Sequence, residues 1–352
     1  MKRFPFPLGV SVPLYLAPMA GVSESPFRRL CRQFGADVVV TEFLSAEGIR
    51  RENEHTISKL RFGSDERPIG VQIFGADPVA MGEAAALVTD VFGPEFIDIN
   101  FGCPVKKVVK RNGGSGCLKD LDLVQNVIRA VARSTSLPVT CKIRSGWNED
   151  MRDPVTIALR CQDAGVQALA LHPRTRTQMY SGHAHWDEIA SVVNALDIPV
   201  LGNGDIKSPQ DALRMWHETQ CAGVMIARGS FGQPWIFDQT RDLLEGRAMR
   251  PAPNVESRFA IALDHARMAK EYEPDRRGAA IEFRKHLGWY VKGLPGSAEL
   301  RKKLHAVTTL DEVEGIFADY LQFRDKYAAA DIIDAERLER LEPLEPLEPV
   351  AV

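Results

Sequence analysis

One cysteine in the middle of this 352-residue chain has neighbours that favour chemistry over a purely structural role. The segment Phe96-Ile97-Asp98-Ile99 reads as a short strand, and Gly102 and Pro104 then predict a loop that carries Cys103. A thiol with an ordinary pKa near roughly 8.5 is mostly protonated at neutral pH, so it is able to act as a general acid. The Cys-Pro pair alone fits a buried structural cysteine equally well.

Basic residues follow this cysteine without an intervening acid, which suggests that the substrate is anionic. They are Lys106, Lys107, Lys110, Arg111 and Lys119. A second thiol, Cys117, follows three glycines within four residues. We expect a mobile loop there, which would position a proton donor poorly, so Cys103 rather than Cys117 is the predicted acid.

The elements that must position this loop alternate between strand and helix from residue 10 to residue 240. Most of the strands are apolar, as strands buried on both faces should be, and a closed parallel (β/α)8 TIM barrel is predicted. An open doubly wound sheet is the alternative, although no Gly-x-Gly-x-x-Gly follows the first strand. The eight predicted strands are Val12–Ala17, Asp37–Thr41, Ile69–Phe74, Phe96–Asn100, Pro138–Ile143, Ala168–Leu171, Ile198–Leu201 and Gly223–Ile226.

The carboxyl ends of the strands are where enzymes of this fold place their chemistry. Nearly every predicted strand here ends in a polar or backbone-exposing residue. Gln72 offers both a donor and an acceptor, which suits the edge of a flavin pyrimidine ring. Lys142 would stabilise negative charge on an electron-rich ring, and a lysine reaching for solvent is the alternative. His172 would bind phosphate or substrate, or merely fill the top of the barrel.

The last two strand ends together predict a phosphate site. Loops after strands seven and eight, together with a short helix, commonly hold phosphate in these barrels. Here they contain Asn203-Gly204-Asp205 and Ala227-Arg228-Gly229, and Phe231–Gln239 is the predicted short helix. No cluster of His, Asp and Glu at metal-ligand spacing appears in the sequence, so a metal hydrolase is not expected.

The motifs assembled so far closely resemble, jointly and in order, those of the tRNA-dihydrouridine synthases. The resemblance spans roughly residues 10 to 325 and is nearest to the bacterial B-type branch. The segments that carry it are Ala17-Pro18-Met19-Ala20-Gly21, Val71-Gln72-Ile73-Phe74-Gly75, Asn100-Phe101-Gly102-Cys103-Pro104-Val105-Lys106-Lys107-Val108, Lys142-Ile143-Arg144-Ser145-Gly146-Trp147, His172-Pro173-Arg174-Thr175-Arg176 and Asn203-Gly204-Asp205-Ile206.

This resemblance implies an FMN-dependent barrel that reduces particular uridines in tRNA with NADPH or NADH. The hydride would pass from flavin N5 to uracil C6, and Cys103 would be the catalytic proton donor to C5. Asn100 and Arg174 would lie near the uracil. Two residues depart from the family pattern: Cys117 stands where alanine is usual, and Ala227 replaces a usual glycine. The implied FMN-binding residues are Pro18, Met19, Ala20, Gln72, Lys142, His172, Asn203, Gly204, Asp205, Ala227, Arg228 and Gly229.

The C-terminal third predicts a second domain. We divide the chain into a barrel (1–245), a proline-containing linker (246–254), a small helical bundle (255–328) and an acidic tail (329–352). Thr309 and Glu312 predict a capping box for the last helix. The tail repeats Leu-Glu-Pro three times, a composition typical of disorder.

The helical domain is the predicted tRNA-binding part. Between Arg276 and Lys303 there are eight Lys or Arg residues and two glutamates. Such a segment suits a polyanion, although solvated helix faces explain the charge as well. The tRNA contacts predicted from charge are Lys106 and Lys107 beside Cys103, and Arg284, Lys285 and Lys292 in the bundle.

Composition places the protein among soluble globular chains. No apolar run reaches membrane-spanning length, and the N-terminus lacks a signal-peptide core. Six scattered cysteines show no disulfide framework, so we expect a reduced, cytoplasmic protein. We also expect it to be a monomer. Two other functions stay open. An FMN-dependent reductase of a free pyrimidine or enone would not need the basic bundle, and a non-catalytic tRNA-binding protein would need neither the flavin nor Cys103.

Overall fold

The computed structural model describes residues 2–272 and 279–323. The chain forms two compact units, Met1–Ala252 and Pro253–Val352, and the division falls within the predicted linker. The predicted acidic tail (329–352), the end of the predicted bundle (324–328) and Arg276 lie outside the described residues.

The first unit is a closed barrel of eight parallel strands, as predicted. Each strand pairs with the next along the chain, and the first pairs with the eighth through Leu16 and Ile226. This closure rules out the open sheet. The barrel strands, numbered below in this order, are Leu14–Leu16, Val38–Val40, Ile69–Phe74, Phe96–Phe101, Val139–Arg144, Ala168–His172, Val200–Asn203 and Gly223–Ile226, and a two-residue strand, Leu44–Ser45, pairs with the third.

Helices on the outside of the barrel follow the strands. Ser208 and Asp211 form a capping box, and Asp120 caps the helix that begins at Leu121. The predicted helix Phe231–Gln239 starts too early, because Gly232 takes a φ of +65° and Pro234 follows, so the observed helix runs from Ile236 to Leu244. The helices are Ser25–Gln33, Ala46–Arg50, Glu54–Ser58, Pro78–Phe92, Lys106–Val109, Leu121–Ser134, Pro154–Asp163, Trp186–Ala195, Pro209–Thr219 and Ile236–Leu244.

The interior of the barrel changes from apolar to polar along its axis. Near the amino ends of the strands, Phe6 stacks on Phe96 with ring centroids 4.8 Å apart. A Cβ atom at residue 70 would lie 2.1 Å from the Phe96 ring, so only glycine fits beside it. Because alternate strand residues share a face, the strand that buries Phe96 presents Asp98 and Asn100 to the interior in turn.

The second unit consists of helices Val255–Tyr272, Ala279–Tyr290 and Ser297–Leu304, followed by helical residues 310–323. Phe259 stacks on Phe317 with ring centroids 4.0 Å apart. The predicted capping box is confirmed, since the Glu312 N–H donates to Thr309 Oγ1 and Glu312 Oε2 accepts the Thr309 N–H, both at 3.3 Å. Among the described helices, none is both long and apolar enough to cross a membrane.

Candidate active site

A chain of buried hydrogen bonds leads from the barrel interior to the predicted catalytic cysteine. Gln72 Nε2 donates to Asp98 Oδ2 at 2.6 Å, and Gln72 Oε1 accepts from Asn100 Nδ2 at 2.7 Å. Asn100 Oδ1 in turn accepts the Cys103 N–H at 2.8 Å. The strands bring these residues together because Gln72 and Asp98 are register partners. Asn100 therefore anchors the backbone that carries the thiol.

The loop after Cys103 packs closely on the cysteine. The Cys103 carbonyl accepts hydrogen bonds from the Ser115 hydroxyl at 2.7 Å and from the Ser115 N–H at 3.2 Å. Gly114 has a φ of +58°, and a Cβ atom there would lie 3.0 Å from that of Cys103. Burial raises the pKa of the Cys103 thiol, while the Val105 N–H and the Arg144 charge oppose this rise. The thiol therefore keeps its proton at neutral pH.

Cys117 is not on the loose segment that its glycine neighbours suggested. It lies in a turn of 3-10 helix, Gly114–Lys119, and its side chain is fully buried. Its thiol donates to the Asn112 carbonyl at 2.9 Å, and burial raises its pKa to about 12. The predicted loop is thus a buried helical turn, because core packing rather than glycine content decides the conformation of this segment.

Lys142 is the register partner of Asn100, so it lies beside the hydrogen-bond chain. Its side chain is half-buried. Loss of hydration on burial, together with the Arg144 charge, lowers the pKa of the lysine to about 7, while the Asp98 charge opposes this shift. Burial also raises the pKa of Asp98 to about 6, although the hydrogen bonds from Thr140 and Gln72 oppose that rise. At neutral pH Lys142 therefore has both ammonium and amine forms available.

The loops after strands seven and eight contact each other at the same end of the barrel. Asn203 Nδ2 donates to the Met225 carbonyl at 2.8 Å and so ties the two strands. A Cβ atom at residue 229 would lie 2.3 Å from the Ile206 carbonyl oxygen, so glycine is required there. Within residues 2–272 and 279–323, no acceptor is present for four backbone N–H groups of these loops, those of Gly204, Asp205, Arg228 and Gly229. Backbone donors of this kind suit an anion such as phosphate.

A buried arginine fixes the loop that follows strand six. Arg174 Nη2 donates to Asp205 Oδ2 at 2.7 Å and to the Gly182 carbonyl at 2.8 Å, and Arg174 Nη1 lies 3.2 Å from His172 Nε2. Burial alone would raise the pKa of Asp205, but the Arg174 hydrogen bond and other contacts bring it below its ordinary value. Burial and four nearby cations lower the pKa of His172 far below its ordinary value, so the imidazole is neutral.

The predicted flavin residues of the first strand end lie at the same end of the barrel. The Met19 N–H donates to the Ser23 hydroxyl at 2.8 Å, which closes a turn immediately after the strand. Pro18 and Met19 are half-buried and Ala20 is exposed. This turn presents backbone and apolar surface rather than charge.

Comparison with known proteins connects this geometry to a family. The dihydrouridine synthase (Dus) family profile matches residues 15–326. The tRNA-dihydrouridine synthase B of Pseudomonas aeruginosa is 41% identical over 301 residues, covering 85% of this chain and 89% of that protein. Its counterpart in Xanthomonas campestris is 39% identical, covering 89% of this chain and 94% of that protein.

The chain belongs to the dihydrouridine synthase family. Membership makes it an oxidoreductase. Among solved structures, the 6-hydroxypseudooxynicotine amine oxidase of Pseudomonas geniculata N1 superposes with a TM-score of 0.53 at 11% identity, over 70% of this chain and 49% of the oxidase. That likeness reports the barrel fold alone.

The predicted tRNA contacts of this dihydrouridine synthase family member differ in their surroundings. Lys106 is exposed on the helix Lys106–Val109, and the side chain of Lys107 lies outside the described part of the structure. Arg284 Nε donates to the Val307 carbonyl at 2.8 Å, so this guanidinium holds its own unit together. Lys285 is half-buried and Lys292 is exposed.

Sequence reasoning assigned no role to three polar residues of the site, Asp98, Thr140 and Arg144. Thr140 Oγ1 donates to Asp98 Oδ1 at 2.5 Å. Arg144 Nε donates to the Gly102 carbonyl at 2.8 Å, and Arg144 Nη1 donates to the Met179 carbonyl at 2.8 Å, so it links the cysteine loop to the loop after strand six. The signal for Asp98 and Thr140 was a polar residue at an inward-facing position of an otherwise apolar strand.

Proposed function

We propose that this chain is a tRNA-dihydrouridine synthase that reduces the 5,6 double bond of uracil in specific tRNA uridines, with FMN as cofactor and NADPH or NADH as reductant. The names of the relatives supply the substrate class. The observation that carries the proposal is that one end of the barrel combines an anchored thiol, a half-buried lysine and two contacting loops that offer backbone donors.

The residues at this end fit FMN. The four backbone N–H groups after strands seven and eight, with the Arg228 side chain, would bind its phosphate. Lys142, Gln72 and the turn at Met19 would contact the ring system, and His172, Asn203 and Asp205 would hold the loops around it. Bound FMN, once reduced by the pyridine nucleotide, would supply the hydride for uracil C6.

The protein itself would supply the proton. Cys103 would donate its thiol proton to uracil C5, since burial keeps this thiol protonated. Asn100 would hold the cysteine loop beside the base, and Arg174 would hold the loop after strand six on the substrate side. The uridine would have to leave its stack to reach the barrel, at a cost of a few kcal/mol by the general behaviour of base flipping.

Contacts to the rest of the tRNA would offset that cost. Lys106 and Lys107 beside the site, and Lys285 and Lys292 in the helical unit, are the proposed phosphate contacts, with Arg284 a proposed contact that also has a structural role. Reduction of a free pyrimidine or an enone is the second candidate, and the barrel end alone supports it. A tRNA-modifying enzyme with these features would act in the cytoplasm.

A spectrum and one substrate comparison test the proposal. The purified chain should show the absorption of bound oxidised flavin, and NADPH should bleach it. The bleached enzyme should then be reoxidised anaerobically by tRNA transcripts that lack dihydrouridine, but not by free uridine or cyclohexenone. Reoxidation by the small molecules alone would favour the second candidate, and a colourless protein that binds tRNA would refute both.

A further inference from the structure

One peptide in the loop after strand seven has an unusual conformation. Gly204 has a φ of +122° and Asp205 a φ of +54°, so both residues lie at positive φ. For aspartate the left-handed region is less favourable than an ordinary φ, although its short polar side chain tolerates it. Turning the Gly204–Asp205 peptide plane by half a revolution would take Asp205 out of that region, and glycine at 204 permits such a turn. The observed orientation therefore needs a contact that holds it.

Trp186 makes that contact. Its indole Nε1 donates to the Gly204 carbonyl at 3.1 Å. Within residues 2–272 and 279–323, no second donor reaches this carbonyl, and no acceptor is present for the Asp205 N–H. The indole is itself fixed, because Trp186 begins the helix Trp186–Ala195 and the Arg214 guanidinium lies 4.7 Å from its ring centroid.

The bond to the carbonyl also determines where the N–H of the same peptide points. The Gly204–Asp205 peptide is trans, so its carbonyl and its N–H point in opposite directions. Because the carbonyl faces the Trp186 indole, the Asp205 N–H faces away from it. The Asp205 carboxylate is held separately, since Oδ2 accepts from Arg174 Nη2 at 2.7 Å and from the Ala184 N–H at 2.8 Å. Those two bonds do not involve the Gly204–Asp205 peptide.

We propose that Trp186 is a positioning residue whose indole N–H fixes the Gly204–Asp205 peptide and thereby keeps the Asp205 N–H available to the phosphate of FMN. The inference rests on the proposed function, in which this N–H is one of four backbone donors to that phosphate. With the peptide reversed, a carbonyl oxygen would replace the N–H, and it has no proton to donate to an anion. Riboflavin lacks the phosphate, so its binding should not depend on the direction of this peptide.

A pair of matched substitutions tests the role of the indole N–H. Trp186→Phe removes the N–H and keeps an aromatic ring. Trp216→Phe, on the helix Pro209–Thr219, is the control, because the Trp216 indole nitrogen is buried and has no hydrogen-bond partner among the described residues. Each full-length, flavin-loaded protein is equilibrated with an excess of FMN and riboflavin in known proportion. The bound flavins are then extracted and quantified by chromatography.

The bound ratio reports the preference for the phosphate and does not require activity. We expect Trp186→Phe to lower the preference for FMN over riboflavin about tenfold, the effect of losing one hydrogen bond to a charged group. Trp216→Phe should stay within about twofold of the parent ratio. A parent-like ratio in Trp186→Phe would show that the peptide keeps its direction without the indole.

Two further outcomes would overturn the inference. Equal weakening of FMN and riboflavin, with the ratio preserved, would make Trp186 a packing residue. Trp186→Leu replaces Trp186→Phe if that variant fails to fold, and failure of both would make Trp186 a folding residue instead.

The parent protein keeps this inference separate from the proposed function. A parent without a preference for FMN would refute both the proposed phosphate site and the role of Trp186. A parent that prefers FMN and reduces tRNA, with an unchanged preference in Trp186→Phe, would refute the positioning role only. The expected change of ratio in a protein that never reduces tRNA would support the positioning role and refute only the proposed substrate.

Discussion

The interior of the barrel and the core of the helical unit both bury ionisable side chains, but they surround them differently. In the barrel, Asp98 accepts hydrogen bonds at 2.5 and 2.6 Å, so its charge has donors to stabilise it. In the helical unit, the ring centroids of His265 and His286 lie 4.7 Å apart, with other aromatic rings around them. Burial lowers the pKa of each imidazole. The barrel therefore keeps polar groups that can serve a reaction, whereas the helical core keeps neutral imidazoles that serve packing.

The basic side chains of the barrel and of the helical unit also differ in their contacts. Within residues 2–272 and 279–323, no ion pair or side-chain hydrogen bond is made by Lys106, Lys110 or Arg111 beside the thiol loop. Arg284 in the helical unit instead donates to the Val307 and Ala306 carbonyls. A basic residue that the sequence suggests as a tRNA contact, such as Arg284, can therefore also hold its own unit together.

Removing the barrel thiol should have the largest effect. We expect Cys103→Ala to slow reoxidation of the reduced flavin by tRNA about 10²–10⁴-fold, the usual loss for a general acid. Flavin content and reduction by NADPH should stay at parent values, because this substitution leaves the phosphate loops intact. Rapid-mixing absorbance at the flavin band measures both half-reactions, and a parent-like rate with tRNA would remove Cys103 from the mechanism.

Substitution of Lys142 should have the second largest effect on the reaction. Lys142→Met keeps the aliphatic stem and removes the ammonium, so reduction of the flavin by NADPH should slow about 10²-fold, as when a preorganised donor is lost. Lys270→Met, on an exposed face of the helix Val255–Tyr272, is the matched control and should behave as the parent. An undiminished rate in a flavin-replete Lys142→Met protein would contradict the assignment.

The two groups of cations can then be compared by charge reversal. Lys106→Glu with Lys110→Glu, and separately Lys285→Glu with Lys292→Glu, should each weaken tRNA binding and lower the slope of log K against log salt by about one per lost phosphate contact. Arg284→Glu should instead lower the stability of the helical unit. Filter binding over a salt series measures the slopes, and an unchanged slope for either pair would make that surface an ordinary solvated face.

Sequence patterns predicted the barrel because strand periodicity and breaks are local properties. They also located most strand-end residues, since the fold itself places strand ends together. They missed Asp98 because one polar residue in an apolar strand gives no sign of its partners, which come from two other strands. They misjudged Cys117 because the packing that orders its turn comes from elsewhere in the chain, including the Gly75 region.

Acid should destabilise the helical unit, which buries His265 and His286. Burial lowers the pKa of His265 to about 3, so the folded unit keeps this imidazole neutral while the unfolded chain protonates it below about pH 6.5. The contribution is therefore fully present above pH 6.5 and is lost on acidification by about 1.4 kcal/mol per pH unit. His286 adds in the same direction.

Urea unfolding of the full chain between pH 7.5 and 5 tests this, with hydrogen exchange reporting on the helices Val255–Tyr272 and Ala279–Tyr290. His265→Gln should flatten the pH dependence, whereas His217→Gln, at an exposed site on the barrel, should leave it unchanged. A helical unit whose stability does not change over this range would show that the histidines are not held neutral.

The smallest effect is expected at the second barrel thiol. Cys117 is fully buried, and its thiol makes a hydrogen bond to the Asn112 carbonyl, so it belongs to the packing of the thiol loop rather than to the reaction. Cys117→Ala should leave both half-reactions within about twofold of the parent, because the side chain faces a backbone carbonyl instead of the site. It should lower the free energy of unfolding by about 1 kcal/mol, for the lost hydrogen bond and a small cavity.

Cys117→Ser is the matched comparison, since it keeps a donor of similar size. Parallel thermal unfolding and single-turnover assays decide the matter: a large loss in the reaction with tRNA for Cys117→Ala, with little loss for Cys103→Ala, would exchange the roles of the two cysteines.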